Sequence, residues 1–220
     1  MLSVRKAEPS TITVNRFEKS CILVTLDSHG FAEAVCREIR KRGGSVITLG
    51  RQNSADIRID LGQPETLEST LPVDGSLRTI TGLIHLAPLD HYLATPKAFD
   101  FLSKKTTVAD TLNLAVKSLF VLVKTLKNVL DRPGALIAGL TFNSVVFPYM
   151  DGFKGTIHPA FAGLSGFLKT VNKEYPETRV RLVDFAENNP KTRVNELART
   201  FVDEISSDDK RVEKGYMNNT

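Results

Sequence analysis

The sequence predicts a doubly wound, mostly parallel α/β sheet. Three observations carry this prediction. Short apolar runs of strand length recur along the chain, helical segments separate them, and most of the runs are apolar on both faces, as buried parallel strands are. The 220 residues, 41% hydrophobic and 25% charged, suffice for a sizeable core. They read as a single domain over 1–220, with 1–16 a lead-in arm or strand and 206–220 an exit segment.

The first strand is Cys21-Ile22-Leu23-Val24-Thr25-Leu26, a continuous apolar run. A helix follows from Phe31 to Arg42, with Phe31, Ala34, Val35 and Ile39 on one face and Glu33, Arg37, Arg40 and Lys41 elsewhere. Gly43-Gly44 stands where a helix ends. Ser45–Leu49 is a second strand and Ile57–Leu61 an alternating third, before a short helix over Gln63–Thr70 with proline at its start. Gly82–Ala87 is the fourth strand, stopped by Pro88. A long helix spans about Val108 to Leu130, with an apolar stripe of Leu112, Val116, Leu119, Phe120, Val123, Leu126 and Leu130. Pro133-Gly134 breaks it, and Ala135–Leu140 is the fifth strand. After a loop from Asn143 to His158 come a helix over Pro159–Glu174, an alternating strand over Arg179–Phe185 and a helix over Thr192–Ile205.

Composition narrows the function classes. No apolar run has the ~18 residues of a membrane span, and Met1–Ser20 has no apolar h-region. Net charge is +4. The densest basic run, Arg37, Arg40, Lys41 and Arg42, has no interleaved aromatics and reads as a solvated helix end rather than a nucleic-acid footprint. Cys21 and Cys36 read as two buried thiols, which suits the cytoplasm. The expected partners therefore include neither nucleic acid nor membrane.

The turn after the first strand stands where a Rossmann domain binds the pyrophosphate of a dinucleotide. That chemistry asks for glycines that let the backbone approach the phosphates. In short-chain dehydrogenases, which this βαβ opening resembles, the turn reads roughly T-G-G-x-x-G-I-G. Here it is Thr25-Leu26-Asp27-Ser28-His29-Gly30-Phe31-Ala32, and Gly30 alone of the glycines is kept. Leu26 is bulky, and Asp27 puts a carboxylate beside an anionic ligand. At ~4 Å and an effective dielectric of ~20, one such pair costs about 4 kcal/mol, or roughly a thousandfold in affinity. Asp27, Ser28, His29 and Gly30 thus form a degenerate cofactor site in a degenerate Rossmann fold. Arg51, after the second strand, is the candidate for a 2′-phosphate. No cofactor is expected to bind; NADPH is the cofactor if the chain is a reductase.

The catalytic tyrosine and lysine of that family are spaced Tyr-x-x-x-Lys. The four tyrosines are followed at the fourth position by other residues: Tyr92 by Pro96, Tyr149 by Phe153, Tyr175 by Arg179 and Tyr216 by Thr220. Polyketide ketoreductases can place the lysine on the long helix instead, where Lys117 stands. Ser144 lies after the fifth strand with Tyr149 behind it, but the usual serine-to-tyrosine gap of ~13 residues leads to Ile157. An active reductase would use Lys117, Ser144 and Tyr149; otherwise these are a solvated lysine and two loop residues. His85 reads as a satisfied core histidine. His29, His91 and His158 have no metal-ligand spacing, and no metal site is expected. Asp27 and Asp90 read as solvated turn residues rather than a catalytic pair.

The second half carries a further likeness. His158-Pro159-Ala160-Phe161-Ala162-Gly163-Leu164-Ser165-Gly166-Phe167-Leu168-Lys169-Thr170, then Glu174-Tyr175-Pro176, Arg181-Leu182-Val183-Asp184, and finally Glu204 with Val212-Glu213-Lys214-Gly215-Tyr216, stand in order. This series resembles the ketoreductase region of type I polyketide and polyunsaturated fatty acid synthases, over about Cys21 to Tyr216. The resemblance implies the first, structural half of a two-part ketoreductase, which binds no cofactor and braces a catalytic half. It implies as partners that catalytic subdomain or other synthase domains, with an acyl carrier protein bearing the β-ketoacyl substrate. Two other readings stay open: an NADPH-dependent β-ketoacyl reductase with divergent motifs, and a nucleotide- or carrier-binding module whose basic run at Arg37–Arg42 meets an acidic carrier.

Overall fold

The computed structural model describes residues 5–6, 16–71, 75–94, 107–142, 159–187 and 190–217. Among these residues, eight parallel strands form one sheet in the order β1-β8-β7-β6-β5-β2-β3-β4. They are β1 (Arg5–Lys6), β2 (Cys21–Thr25), β3 (Ser45–Gly50), β4 (Ile57–Arg58), β5 (Gly82–His85), β6 (Leu136–Phe142), β7 (Arg179–Ala186) and β8 (Glu213–Met217). The helices are α1 (Phe31–Lys41), α2 (Pro64–Thr70), α3 (Leu89–Ala94), α4 (Val108–Leu112), α5 (Ser118–Thr125), α6 (Lys127–Leu130), α7 (Pro159–Glu174) and α8 (Val194–Ser206).

The central strands are buried on both faces, so each face needs its own apolar cover. On one side α1 and α8 pack together over Val24, Ile84, Leu140 and Val183. On the other, α2, α5, α6 and α7 cover Leu23, Leu83, Ile137 and Leu182. This is the doubly wound architecture that the periodicity predicts. Helix α1 ends as Gly43-Gly44 implies. Gly43 sits at φ 83°, Gly44 N–H donates to Ile39 O at 3.1 Å, and Gly43 N–H donates to Arg40 O at 3.0 Å.

Several expectations are corrected. The alternating run Ile57–Leu61 is a strand over Ile57–Arg58 alone, because Asp60 closes a turn by accepting from Gly62 N–H at 2.9 Å. The exit segment contains β8, which extends the sheet beside β7, and β1 of the lead-in pairs with it. The long helix is interrupted by a π turn over Asn113–Lys117. There Ser118 N–H bonds Asn113 O, five residues back, which releases the carbonyl of Leu114 from the α-helical ladder. The register change turns Phe120, expected in the buried stripe, outward to 51% exposure. Cys36 is buried, and burial pushes its thiol up to about 12, whereas Cys21 is half-buried; both are free thiols.

Candidate functional site

In an open α/β sheet, ligands bind at the carboxyl ends of strands where the strand order reverses. Here that point lies between β2 and β5. Backbone and side chains from both strands meet across it. Thr25, at the end of β2, accepts from Leu86 N–H at 2.8 Å and Ala87 N–H at 3.0 Å through Oγ1. Its hydroxyl also lies 3.1 Å from His85 Nδ1. His85 Nε2 is 3.0 Å from Leu114 O, the carbonyl released by the π turn. A carbonyl only accepts, so His85 carries its proton on Nε2, and Nδ1 accepts the Thr25 hydroxyl. Ser118 Oγ donates to the same carbonyl at 2.6 Å. His85 is fully buried, and burial pulls its pKa down to about 4, so the imidazole is neutral at physiological pH. The expected core histidine is a core histidine.

The turn after β2 has an unexpected arrangement. Asp27 is 0% exposed, not solvated. Its Oδ2 accepts from His29 N–H at 2.8 Å and Phe31 N–H at 3.3 Å, and its Oδ1 accepts from Ala32 N–H at 2.6 Å. These are donors at the α1 N-terminus, the groups that serve an anionic ligand in a dinucleotide site. The expectation placed this carboxylate beside a phosphate site; it sits in the site, on the donors themselves. Burial raises its pKa, the three N–H groups oppose that shift, and the nearby Asp90 adds to it. Asp90, on α3, accepts Ser28 N–H and so links the β2 turn to the β5 side of the crevice. Glu33 is also pushed up, by burial first and by the charges of Asp27 and Asp90 after that. Leu26 packs into the core, and a Cβ on Gly50 would come within 3.1 Å of its Cβ.

The structure therefore brings Asp27, Ser28, His29 and Gly30 together with Asp90, and Gly30 takes the left-handed conformation, φ 84°. Arg51 is exposed and turned toward Asp60, Nε to Oδ1 3.8 Å. Lys117 is exposed on the π turn; among the described residues no hydrogen bond or ion pair joins it to the β2 turn. Ser144 and Tyr149 lie outside the described residues. The spacing that makes Ile157 the tyrosine position places the lysine four residues on, at Phe161, which is 2% exposed in the first turn of α7. Counting on from Ile157 exposes this substitution in the sequence; the Thr25–His85–Leu114 chain leaves no such trace. The basic run is partly committed: Arg42 pairs with Asp203 at 2.7 Å, Arg37 bonds Asn195 at 2.8 Å, and Lys41 pairs with Glu38 at 2.7 Å. Among the described residues, no cluster of His, Cys, Asp and Glu could hold a metal, and no helix is long and apolar enough to cross a membrane.

The fold is that of short-chain dehydrogenases. A short-chain dehydrogenase/reductase of the glucose/ribitol dehydrogenase type from Brucella melitensis superposes with TM-score 0.66 at 16% identity, covering 91% of this chain and 95% of that one. A short-chain dehydrogenase from Burkholderia cenocepacia J2315, solved in complex with NADP, gives TM-score 0.66 at 14% identity, with 92% and 89% covered. A putative short-chain alcohol dehydrogenase from Burkholderia multivorans gives 0.62 at 20% identity, with 90% and 95% covered. A family model described as beta-ketoacyl synthase-like, N-terminal, matches residues 96–204. None of the curated proteins matches the sequence.

Proposed function

We propose that this chain is a non-catalytic, Rossmann-like structural subdomain that braces the catalytic half of a ketoreductase in a cytoplasmic polyketide or fatty acid synthase. That ketoreductase would act on β-ketoacyl chains carried by an acyl carrier protein. The observation that carries the reading is the seat of Asp27. Its carboxylate satisfies the α1 donors from within the chain, and a dinucleotide pyrophosphate would have to displace a buried like charge to reach them. Phe161 at the lysine position supports the same reading. The ordered ketoreductase-like segments from His158 to Tyr216 and the match to a beta-ketoacyl synthase-like model support the synthase setting.

The test is calorimetric titration of the purified chain with NADPH. No heat at about millimolar cofactor is expected, since ~1 mM corresponds to only about 4 kcal/mol of binding. Micromolar binding would overturn the reading. It would instead support an NADPH-dependent β-ketoacyl reductase using Lys117, Ser144 and Tyr149, with cofactor at Ser28–Gly30 and Arg51. That second reading draws on the fold neighbour solved with NADP. Reduction of a β-ketoacyl thioester by this chain alone would establish it.

A further inference from the structure

His85 stands in the middle of a chain of hydrogen bonds in which each proton has one place. Thr25 Oγ1 accepts Leu86 N–H at 2.8 Å and Ala87 N–H at 3.0 Å, which uses both of its lone pairs. Its own proton goes to His85 Nδ1, 3.1 Å away. On the other side of the ring, Nε2–H meets Leu114 O at 3.0 Å and the Ser118 hydroxyl oxygen at 3.4 Å, while that hydroxyl donates to Leu114 O. Thr25, His85 and Ser118 are all buried, so a group that loses its partner here does not meet bulk water. The chain fits the neutral imidazole alone. A second proton would sit on Nδ1 and point at an oxygen that already accepts two donors. The bonds on the Nε2 side survive protonation, and the bond on the Nδ1 side does not.

That side of the ring carries the crevice. Leu86 and Ala87 lead into α3 and close its first turn: Leu89 N–H bonds Leu86 O at 3.0 Å, and Asp90 N–H bonds Ala87 O at 3.1 Å. Asp90 in turn accepts Ser28 N–H from the β2 turn. Thr25 thus ties the segment Leu86–Asp90 to the end of β2. The groups facing the ring are few. From β6 it meets Gly139, which has no side chain, and from the long helix Ser118, with Lys117 exposed beside it. The ionisable groups around the turn are Asp27 after β2, Glu33 on α1, and Asp90 and His91 on α3; Asp27 and Glu33 are pushed up and His91 is pulled down, each by burial first. None of these is among the causes acting on His85, which are burial and the carbonyls of Leu114 and Ala115.

We propose that His85 is an acid latch on the crevice. Neutral, it holds Leu86–Asp90 against β2 through Thr25; protonated, it releases that segment and keeps its hold on Leu114. The sign follows from the depressed pKa, 6.5 when the ring is free and about 4 when the latch is closed. The latch is fully held above 6.5, and each pH unit from there down to about 4 favours the open form by about tenfold. Nuclear magnetic resonance on the full chain reads this. Long-range proton–nitrogen correlation should show the His85 ring as the Nε2–H tautomer alone at neutral pH. Amide hydrogen exchange, divided by the intrinsic rate, should show the opening constants of Leu86 and Ala87 rising about tenfold per pH unit over that window and exceeding that of Ser118. His85→Gln, whose amide can accept from Thr25 and donate to Leu114 without titrating, should flatten the rise. Asp27→Asn should leave it in place. Thr25→Val should leave Leu86 and Ala87 open at every pH, and Thr25→Ser should keep the latch.

Opening constants of Leu86 and Ala87 that do not change with pH would overturn the proposal. So would an Nδ1–H tautomer in the wild type, which the saturated Thr25 hydroxyl does not allow. A rise that persists in His85→Gln, or disappears in Asp27→Asn, would assign it to the carboxylates around the turn instead. Equal opening constants at Leu86, Ala87 and Ser118 would mean that the segment yields only with the whole core, and no latch would remain. The tautomer and the exchange profile are read on the wild type, so the outcome does not depend on a variant that folds.

Discussion

Ala32 donates its backbone N–H to the carboxylate of Asp27, five residues earlier, at 2.6 Å. With His29 and Phe31 bonded to the other oxygen, a side chain of the turn closes the N-terminus of α1 from three residues ahead of its N-cap, Gly30. A helix end that would otherwise need water, a cap or a ligand is satisfied internally. The same contact that stabilises α1 removes the donors an anionic ligand would use.

Asp27→Ala should therefore destabilise the chain by about 1–2 kcal/mol, as loss of a helix cap does. Asp27→Asn keeps one acceptor and turns an amide NH2 toward the backbone donors, as the protonated carboxyl does with its hydroxyl, but it does not titrate. The pH dependence has a defined sign. Burial raises the folded pKa of Asp27 above 3.8. Its protonation therefore favours folding, fully below the unfolded value, and that contribution is lost as pH rises through the folded one. Urea denaturation from acid to neutral pH should show the wild type losing stability relative to Asp27→Asn over that window.

His85→Leu should cost about 2–4 kcal/mol, because Leu114 O and the Thr25 hydroxyl lose a buried partner. The pH effect here has the opposite sense. The folded pKa is pulled below 6.5 to about 4, so the stabilisation is full above 6.5 and is lost as pH falls through 4. The span corresponds to ~3 kcal/mol. A denaturation series from pH 7 to below 4 should show this loss in the wild type and not in His85→Leu.

Lys117 and Ser118 are neighbours with opposite roles. Ser118→Ala should cost about 1 kcal/mol, since Ser118 Oγ donates to Leu114 O inside the core. Lys117→Ala, at an exposed position, should change stability by less than about 0.5 kcal/mol. Thermal unfolding of the two variants checks both, and a large effect at Lys117 would mean that it is held by more than its helix.

Glu204 on α8 is buried with Arg181 of β7, whose Nε is 3.7 Å from it, and accepts Lys214 Nζ at 2.5 Å together with the hydroxyl of Tyr216. Burial drives the Tyr216 phenol pKa well up, and the Glu204 charge adds to the shift. Glu204→Ala leaves the Arg181 guanidinium buried without its carboxylate and should cost about 3–5 kcal/mol. Arg181→Met combined with Glu204→Leu should recover much of that loss, because neither charge then remains uncompensated. A double-mutant cycle by urea denaturation measures the coupling.

Much of the fold was legible because period and apolarity are local. The periodic segment Pro159–Glu174 is α7 to the residue, and Gly43-Gly44 ends α1 as its φ requirement dictates. The misread places are those where a local hydrogen bond departs from the regular strand or helix pattern. Ile59 and Leu61 alternate as a strand would, yet Asp60 turns the chain there. Phe120 fits the helical period, but that period fails when Ser118 N–H reaches past Leu114 to Asn113.

The residue order by itself determined the alternation of strands and helices, the loss of three of the four glycines from the β2 turn and the lack of a Tyr-x-x-x-Lys pair. Each is a property of neighbours along the chain. Only the tertiary structure decided that Asp27 is buried on the α1 donors, that Asp90 links the two sides of the crevice, and that His85 holds the carbonyl freed by a π turn. Those outcomes depend on burial and, for Asp90 and His85, on hydrogen-bond partners tens of residues away, and a polar residue gives no sign in sequence of which donor will reach it.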